Sequence, residues 1–408
     1  MRAALFVALI VATGTATATH AKAADIKSIS RIEFGPANVL FVADWQASAI
    51  DALTLPAMSP AAARTFNIRD LGSLLEKQSD GGPVHVTDMK VRPGTGVAYV
   101  AYEFGRARKP GLAWITPDGQ VHKVDLGTAK AAETKLKDAT DSDNSFWGRI
   151  PQRSLTVTTM KWHDRELFVA GLSNQTFASS LWRLRFPFES QISPTSIEIY
   201  HTSHDQWETR APIREMAFAD LEAKSYLVAA YMCTPLVTIP LDEIKSGAHI
   251  RGKTIAELGY GNTPSDMVSY VGTEQGKKVP YVLLTNYERS ADLIPVSSIA
   301  ESNKKPGFEK PVPWGNITGV DLTYLPLSGV TRIDNLDDKY LIVVRQDPEE
   351  GKTQLVTFNK DVRLRVTDFV SEYDFPDYKY PKGYQSTYIK PIEDTLIREE
   401  GVQSPSKP

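Results

Sequence analysis

The sequence predicts an all-β fold, a β-propeller of six blades most readily and seven at most, with loop insertions and an extended C-terminal tail. Three observations point there. One arrangement of strands recurs six times along the chain. The middle strand of each copy is a short continuous apolar run, the mark of a strand buried on both faces. The gaps between strands are too short for the crossover helices that a parallel α/β sheet would require.

Each copy opens on a short alternating strand anchored by Met or Ile. The anchors are Ile32, Met89, Met160, Met216, Met267 and Ile333, spaced 57, 71, 56, 51 and 66 residues apart. A four-stranded blade takes roughly 40 to 50 residues, so these blades carry insertions. The second strands are 40–43, 98–101, 167–170, 227–230, 282–285 and 341–344. The third strands are 50–53, 112–115, 181–184, 236–239, 293–296 and 355–358. Weaker fourth strands are readable at 120–124 and 196–200. A seventh blade would have to lie within 300–326, where 316–325 offers a single strand. Helical candidates are few: 69–77, 129–139 and a turn at 242–244. The insertions fall at about 125–155 and 186–211.

Residues 1–23 read as a secretory signal. Arg2 precedes the apolar run 3–12, and Ala21-Lys22-Ala23 forms a small-x-small cleavage site. The run is too short for a bilayer span, and no later segment is apolar for long enough. The expected organisation is therefore a signal at 1–23, a propeller at 24–371 and an aromatic-rich tail at 372–408 whose end is disordered. The tail carries Tyr373, Phe375, Tyr378, Tyr380, Tyr384 and Tyr388 among Asp, Lys and Pro, and is expected to wrap the propeller or to dock on a partner. A periplasmic or secreted location follows. Removing Arg2 and Lys22 takes the formal charge from −3 to −5, which speaks against a general nucleic-acid binder. A single cysteine, Cys233, excludes an intrachain disulfide and C-x-x-C metal or redox motifs, and is expected as a buried, inert thiol.

The stretch Gly261 to Met267 followed by Tyr281 to Asn286 resembles a repeat of the YVTN/NHL-like propellers, as does Ile32 to Pro36 followed by Leu40 to Asp44. The resemblance implies the fold. It leaves function open, because members of that broad group serve as lactonases, sugar dehydrogenases, amine dehydrogenase subunits, envelope binding proteins and scaffolds.

Alternation places the residue before each anchor toward the central channel. That ring is Arg31, Asp88, Thr159, Glu215, Asp266 and Arg332. Five charges in register are tolerable only if paired, hydrated or ligand-bound. The ring is either a salt-bridged channel mouth or a site for a polar ligand or hard cation, with Asp88, Glu215 and Asp266 as candidate ligands for Ca²⁺. Consecutive blades 1 and 6 are expected to close the ring and set Arg31 beside Arg332. A second ring, Asp44, Tyr102, Tyr231, Asn286 and Arg345, follows the second strands and offers either hydrogen-bonding groups for a sugar or peptide, or turn and inter-blade packing.

Histidine is scarce. His201-x-x-His204 is the close pair, a weak metal signal in a Pro- and Thr-bearing loop. His85 is the one candidate general base. No G-x-S-x-G, Walker A or G-x-G-x-x-G motif occurs. The expected function is an exported propeller that binds a small polar ligand or an envelope protein. The alternative is a metal-dependent lactonase or ester hydrolase, or a quinone-type dehydrogenase subunit, working in the channel.

Overall fold

The computed structural model describes residues 22–79, 82–188, 192–274, 276–313, 315–325, 327–347 and 350–360. The aromatic tail at 372–408 and residues 1–21 lie outside the described residues.

Six blades, each with at least four strands, surround a channel lined by the first strand of each. Blade 1 is Arg31–Phe34, Val39–Asp44, Ala49–Thr54 and, as its outer strand, Lys130–Lys135. Blade 2 is Val84–Val91, Ala98–Phe104, Lys109–Ile115 and Val121–Lys123. Blade 3 is Thr159–His163, Glu166–Leu172, Ser179–Arg185 and Thr195–His201. Blade 4 is Ile213–Leu221, Lys224–Tyr231, Pro235–Pro240 and Lys253–Glu257. Blade 5 is Pro264–Glu274, Lys277–Asn286, Ala291–Pro295 and Thr323–Leu325. Blade 6 is Val330–Asn335, Tyr340–Gln346, Thr353–Asn359 and, as its outer strand, Asn67–Ile68. The three inner strands of each blade read from the sequence are those of the fold.

The anchors build the cores between blades. All six are at most 1% exposed. Ile32 lies in one apolar cluster with Tyr99 and Leu112 of blade 2. Met89 meets Ile342 of blade 6, Ile333 meets Leu283 of blade 5, and Met267 meets Val228 of blade 4. Met216 meets Phe168 of blade 3, and Met160 meets Phe41 of blade 1. Each anchor thus faces the next blade in the same rotational sense. Cutting one back to Ala would cost about 2–5 kcal/mol.

These contacts give the spatial order 1, 2, 6, 5, 4, 3 around the ring. Blade 2 therefore stands between blades 1 and 6, and the expectation that Arg31 and Arg332 would be neighbours is corrected. The chain lays down three strands of blade 1 and crosses to supply the outer strand of blade 6, where Ile68 pairs with Leu355. It then builds all of blade 2 and returns to finish blade 1, where Ala131 pairs with Leu53. Blades 3 to 6 follow in chain order.

One expectation falls with that path. Residues 129–139 form no helix: Lys130–Lys135 is a strand whose alternating burial matches its place beside Ala49–Thr54. Pairing with an open strand edge outweighs the helix preference of Ala and Lys. Residues 25–27 form no strand, and the backbone N–H of Lys27 donates to Asp44 of blade 1.

The helix Leu71–Gln78 is present as expected. Asp70 caps it by accepting from the Ser73 N–H, and Leu71 and Leu75 enter the core between blades 2 and 6. A second helix, Val296–Lys304, sends Ile299 into the core between blades 4 and 5. Its short apolar content gave no periodic signal.

Candidate functional site

The six ring residues meet in the channel and are all buried. In spatial order they read Arg31, Asp88, Arg332, Asp266, Glu215, Thr159. Asp88 now separates the two arginines. Arg332 Nε lies 3.2 Å from Asp88 Oδ1, and Arg31 reaches Glu215 at 3.3 Å.

Two of the carboxylates also stitch the backbone. Asp88 accepts from its own neighbour Met89 N at 2.9 Å and from Ile32 N of blade 1 at 2.8 Å. Asp266 accepts from Met267 N at 2.7 Å and from Ile333 N of blade 6 at 3.0 Å. Lys161 Nζ stands 3.9 Å from Asp266. Burial works against the Asp266 anion, but Lys90, Lys161, Arg332 and the Ile333 N–H hold its pKa down, at about 2. Burial raises the Glu215 pKa, helped by Asp266. A carboxylate whose lone pairs are spent on N–H groups and guanidinium is a poor ligand for a hard cation. Among the described residues, the three side chains that bring ligating atoms together are not these but His201, His204 and Glu208.

A second layer lies two residues further along each inner strand: Glu33, Lys90, Lys161 and Asp334, with Ala217 and Val268 at the equivalent positions of blades 4 and 5. Strand alternation aims i and i+2 the same way, so this layer was available to sequence reasoning and was missed. Asp334 repeats the stitch, accepting from Asn335 N and from Val91 N of blade 2. Lys161 donates to the Met267 carbonyl at 2.8 Å. Burial raises the Glu33 carboxyl to about 7 against the pull of Lys90 and Lys161. The acidic neighbours Asp266, Asp334 and Glu33 overcome burial and hold the Lys90 pKa well above the usual lysine value.

This layer opens into a cavity of about 760 Å³ lined by Glu33, Lys90, Trp162, Ser269, Asn335 and Asp338, among others. Trp162 is held by stacking on Phe41, with ring centroids 5.4 Å apart.

The second predicted ring does not converge. Asp44 is a turn residue, accepting from Lys27 N, Ser28 Oγ and Ala47 N. Tyr102 is buried against Gly111, where no Cβ would fit. Tyr231 is buried in the core between blades 3 and 4. Asn286 closes a turn with Thr263 and Ser290. Arg345 bonds Gln354 in its own blade. Their chain positions are equivalent, but each serves its own turn or interface. His85 is exposed and lies opposite Glu103 on the blade 2 hairpin. Cys233, expected as buried, has an exposed thiol on a loop of blade 4.

No family model matches the chain, and no curated protein matches it. Among solved structures it is similar to a Thermus thermophilus protein described as an oxidoreductase (glucose dehydrogenase), at 9% identity and a TM-score of 0.30, covering 83% of this chain and 98% of that one. It is also similar to Hsv2 of Kluyveromyces lactis, at 11% identity and a TM-score of 0.26, covering 82% and 99%. Likenesses this distant carry nothing about function. The class of protein, a six-bladed β-propeller, rests on the sheet topology above, and that topology does not single out the YVTN/NHL-like group.

Proposed function

We propose that the chain is an exported binding protein and that a small, hydroxyl-rich polar ligand enters the channel from the Glu33 side. The observation that carries this reading is the cavity itself: an aromatic wall, Trp162, faces carboxyl, ammonium and amide groups at the channel mouth. A concave site with few convergent polar groups and a perturbed carboxyl is the usual form of a small-molecule site. Below its pKa of about 7, Glu33 can donate a hydrogen bond as well as accept one. The Asp88, Glu215 and Asp266 carboxylates are committed to protein partners, so the binding reading is favoured over hydrolysis assisted by a channel cation.

The test is saturation-transfer NMR with a panel of neutral mono- and disaccharides on the mature chain. Transfer to at least one sugar, lost in Trp162→Ala, supports the reading. No transfer to any member, or transfer that Trp162→Ala leaves intact, removes it.

A second reading, contact with an envelope protein, is favoured by the hairpin Ser145–Phe146 to Ile150–Pro151. At its tip Trp147 is 87% exposed. A polypeptide recovered with the protein from its own compartment and absent with Trp147→Ser supports this reading; recovery unaffected by the substitution removes it.

A further inference from the structure

The rim between blades 3 and 4 carries chemistry that the channel reading does not use. The outer strand Thr195–His201 ends on His201 and turns back into the short strand Gln206–Glu208. The turn is tight: His204 N–H donates to the His201 carbonyl, and Asp205 adopts a φ of +53°. It is braced from outside, because the Tyr200 hydroxyl donates to Asp205 at 2.5 Å and Arg251 lies over the Trp207 ring. The next residue, Thr202, donates to the buried Glu257 of blade 4.

This hairpin stacks two imidazoles on one carboxylate. The His201 and His204 rings are 3.9 Å apart. His201 Nδ1 lies 2.9 Å from Glu208 Oε2, and His204 Nδ1 lies 2.5 Å from Glu208 Oε1. The ligating atoms of all three are within 4.8 Å of one another. Around one four-coordinate ion they would stand about 3.4 Å apart, given bonds of about 2.0–2.1 Å, so rotations of the side chains suffice. His201 is 1% exposed, with Nδ1 turned to Glu208. Cys233, from the facing loop of blade 4, is in contact with the same imidazole. That loop is held by Asn262, whose side chain donates to the Cys233 carbonyl at 2.6 Å.

We propose that His201, His204 and Glu208 form a binding site for a first-row transition-metal ion, Zn²⁺ foremost, with Cys233 beside the buried imidazole. Two imidazole nitrogens and one carboxylate oxygen suit zinc or copper and disfavour Ca²⁺ or Mg²⁺. His204 is half exposed, so the ion reaches the site from solvent and a fourth position stays open to water. The thiol beside His201 orients that ring from outside the coordination sphere, or joins the sphere when a softer ion is bound. The site is independent of the sugar cavity, and each can fail without the other.

The experiment is titration of the chelator-treated mature chain with Zn²⁺ by calorimetry and with Co²⁺ by optical spectroscopy. The expected result is one saturable equivalent of Zn²⁺ and visible Co²⁺ d–d bands. His204→Ala and Glu208→Gln should each weaken binding at least tenfold, with circular dichroism unchanged. Cys233→Ser should retain Zn²⁺ binding. Absence of saturable binding by the unaltered chain, or binding that both His204→Ala and Glu208→Gln leave unchanged, overturns the proposal. Because His204 is half exposed, its removal should not unfold the protein. If it does, Glu208→Gln decides alone.

Discussion

The two halves of the ring are sewn together by different chemistry. Around blades 1, 2, 6 and 5, each junction between inner strands carries an aspartate. Asp88 takes the Ile32 N–H, Asp334 takes the Val91 N–H, and Asp266 takes the Ile333 N–H. From blade 5 through blade 4 to blade 3, the stitches come instead from neutral or cationic donors, which in the aspartate half appear beside the carboxylates, as where Ser265 Oγ donates to the Val330 carbonyl. Thr158 Oγ donates to the Ile213 carbonyl at 2.5 Å, and Arg214 Nε donates to the Pro264 carbonyl at 3.2 Å. The difference teaches how to read a buried carboxylate in a repeat protein. In the aspartate half the charges are structural: each accepts from backbone N–H groups of two strands and is neutralised by Arg332, Lys90 or Lys161. The same side chains, seen as a sequence pattern, look like a cation site.

The largest effects should follow from removing a stitch. Asp266→Ala leaves Lys90, Lys161 and Arg332 without their shared anion and frees two backbone donors. It should destabilise by about 3–5 kcal/mol, the cost of breaking a buried pair, as read by urea unfolding. Because the folded pKa of Asp266 lies below its ordinary value, this contribution is complete above pH 3.8 and is lost as pH falls through about 2. A loss below about 1 kcal/mol, the net worth of an ordinary hydrogen bond, would mean that the aspartate stitch is incidental.

Ile68→Ala tests the interleaved closure. Ile68 is buried in the core between blades 2 and 6 on a two-residue outer strand. A loss of about 2 kcal/mol, the low end for a buried Ile, is expected, with hydrogen exchange rising first along Thr353–Asn359. Exchange confined to residues 67–79 would show that blade 6 does not depend on this strand.

Thr158→Val removes a neutral stitch at constant shape and should cost about 1–2 kcal/mol. A cost equal to that of Asp266→Ala would erase the contrast between the halves.

The last effect is set by pH. Burial raises the folded Glu33 pKa from 4.5 to about 7. Folded protein therefore holds this proton where unfolded chain releases it, and stability falls as pH rises from about 4.5 to about 7. Glu33→Gln should match the parent melting temperature near pH 4 and exceed it above pH 7. The subtraction isolates Glu33 from Asp51, whose buried carboxyl is also raised to about 7. Equal melting temperatures at both pH values would place Glu33 in water.

Much of the channel was legible because a strand repeats every two residues. That period placed Ile32 or Met267 in a core, and therefore Arg31 or Asp266 in the channel. Carried two residues further, the same period places Glu33 and Asp334 there too. The second ring failed because equal position after a strand does not mean equal direction: Asp44 and Asn286 turn back to cap their own loops. The metal cluster was half visible as His201-x-x-His204. Glu208 joins it only through the hairpin, and Cys233 only through the neighbouring blade.

The sequence by itself determined the three inner strands of each blade, the count of six, the anchors that bury between blades and the charged positions beside them that face the channel, because each depends on local alternation of apolar and polar residues. Tertiary structure alone decided that blade 2 stands between blades 1 and 6, which distant strands complete blades 1 and 6, and which N–H each carboxylate accepts. Every blade interface is built from the same kinds of apolar side chain, Leu, Val, Ile and Ala with an occasional aromatic, so no local pattern names a blade's neighbour. That choice is made by long-range pairing of strand edges and by burial summed over the whole ring.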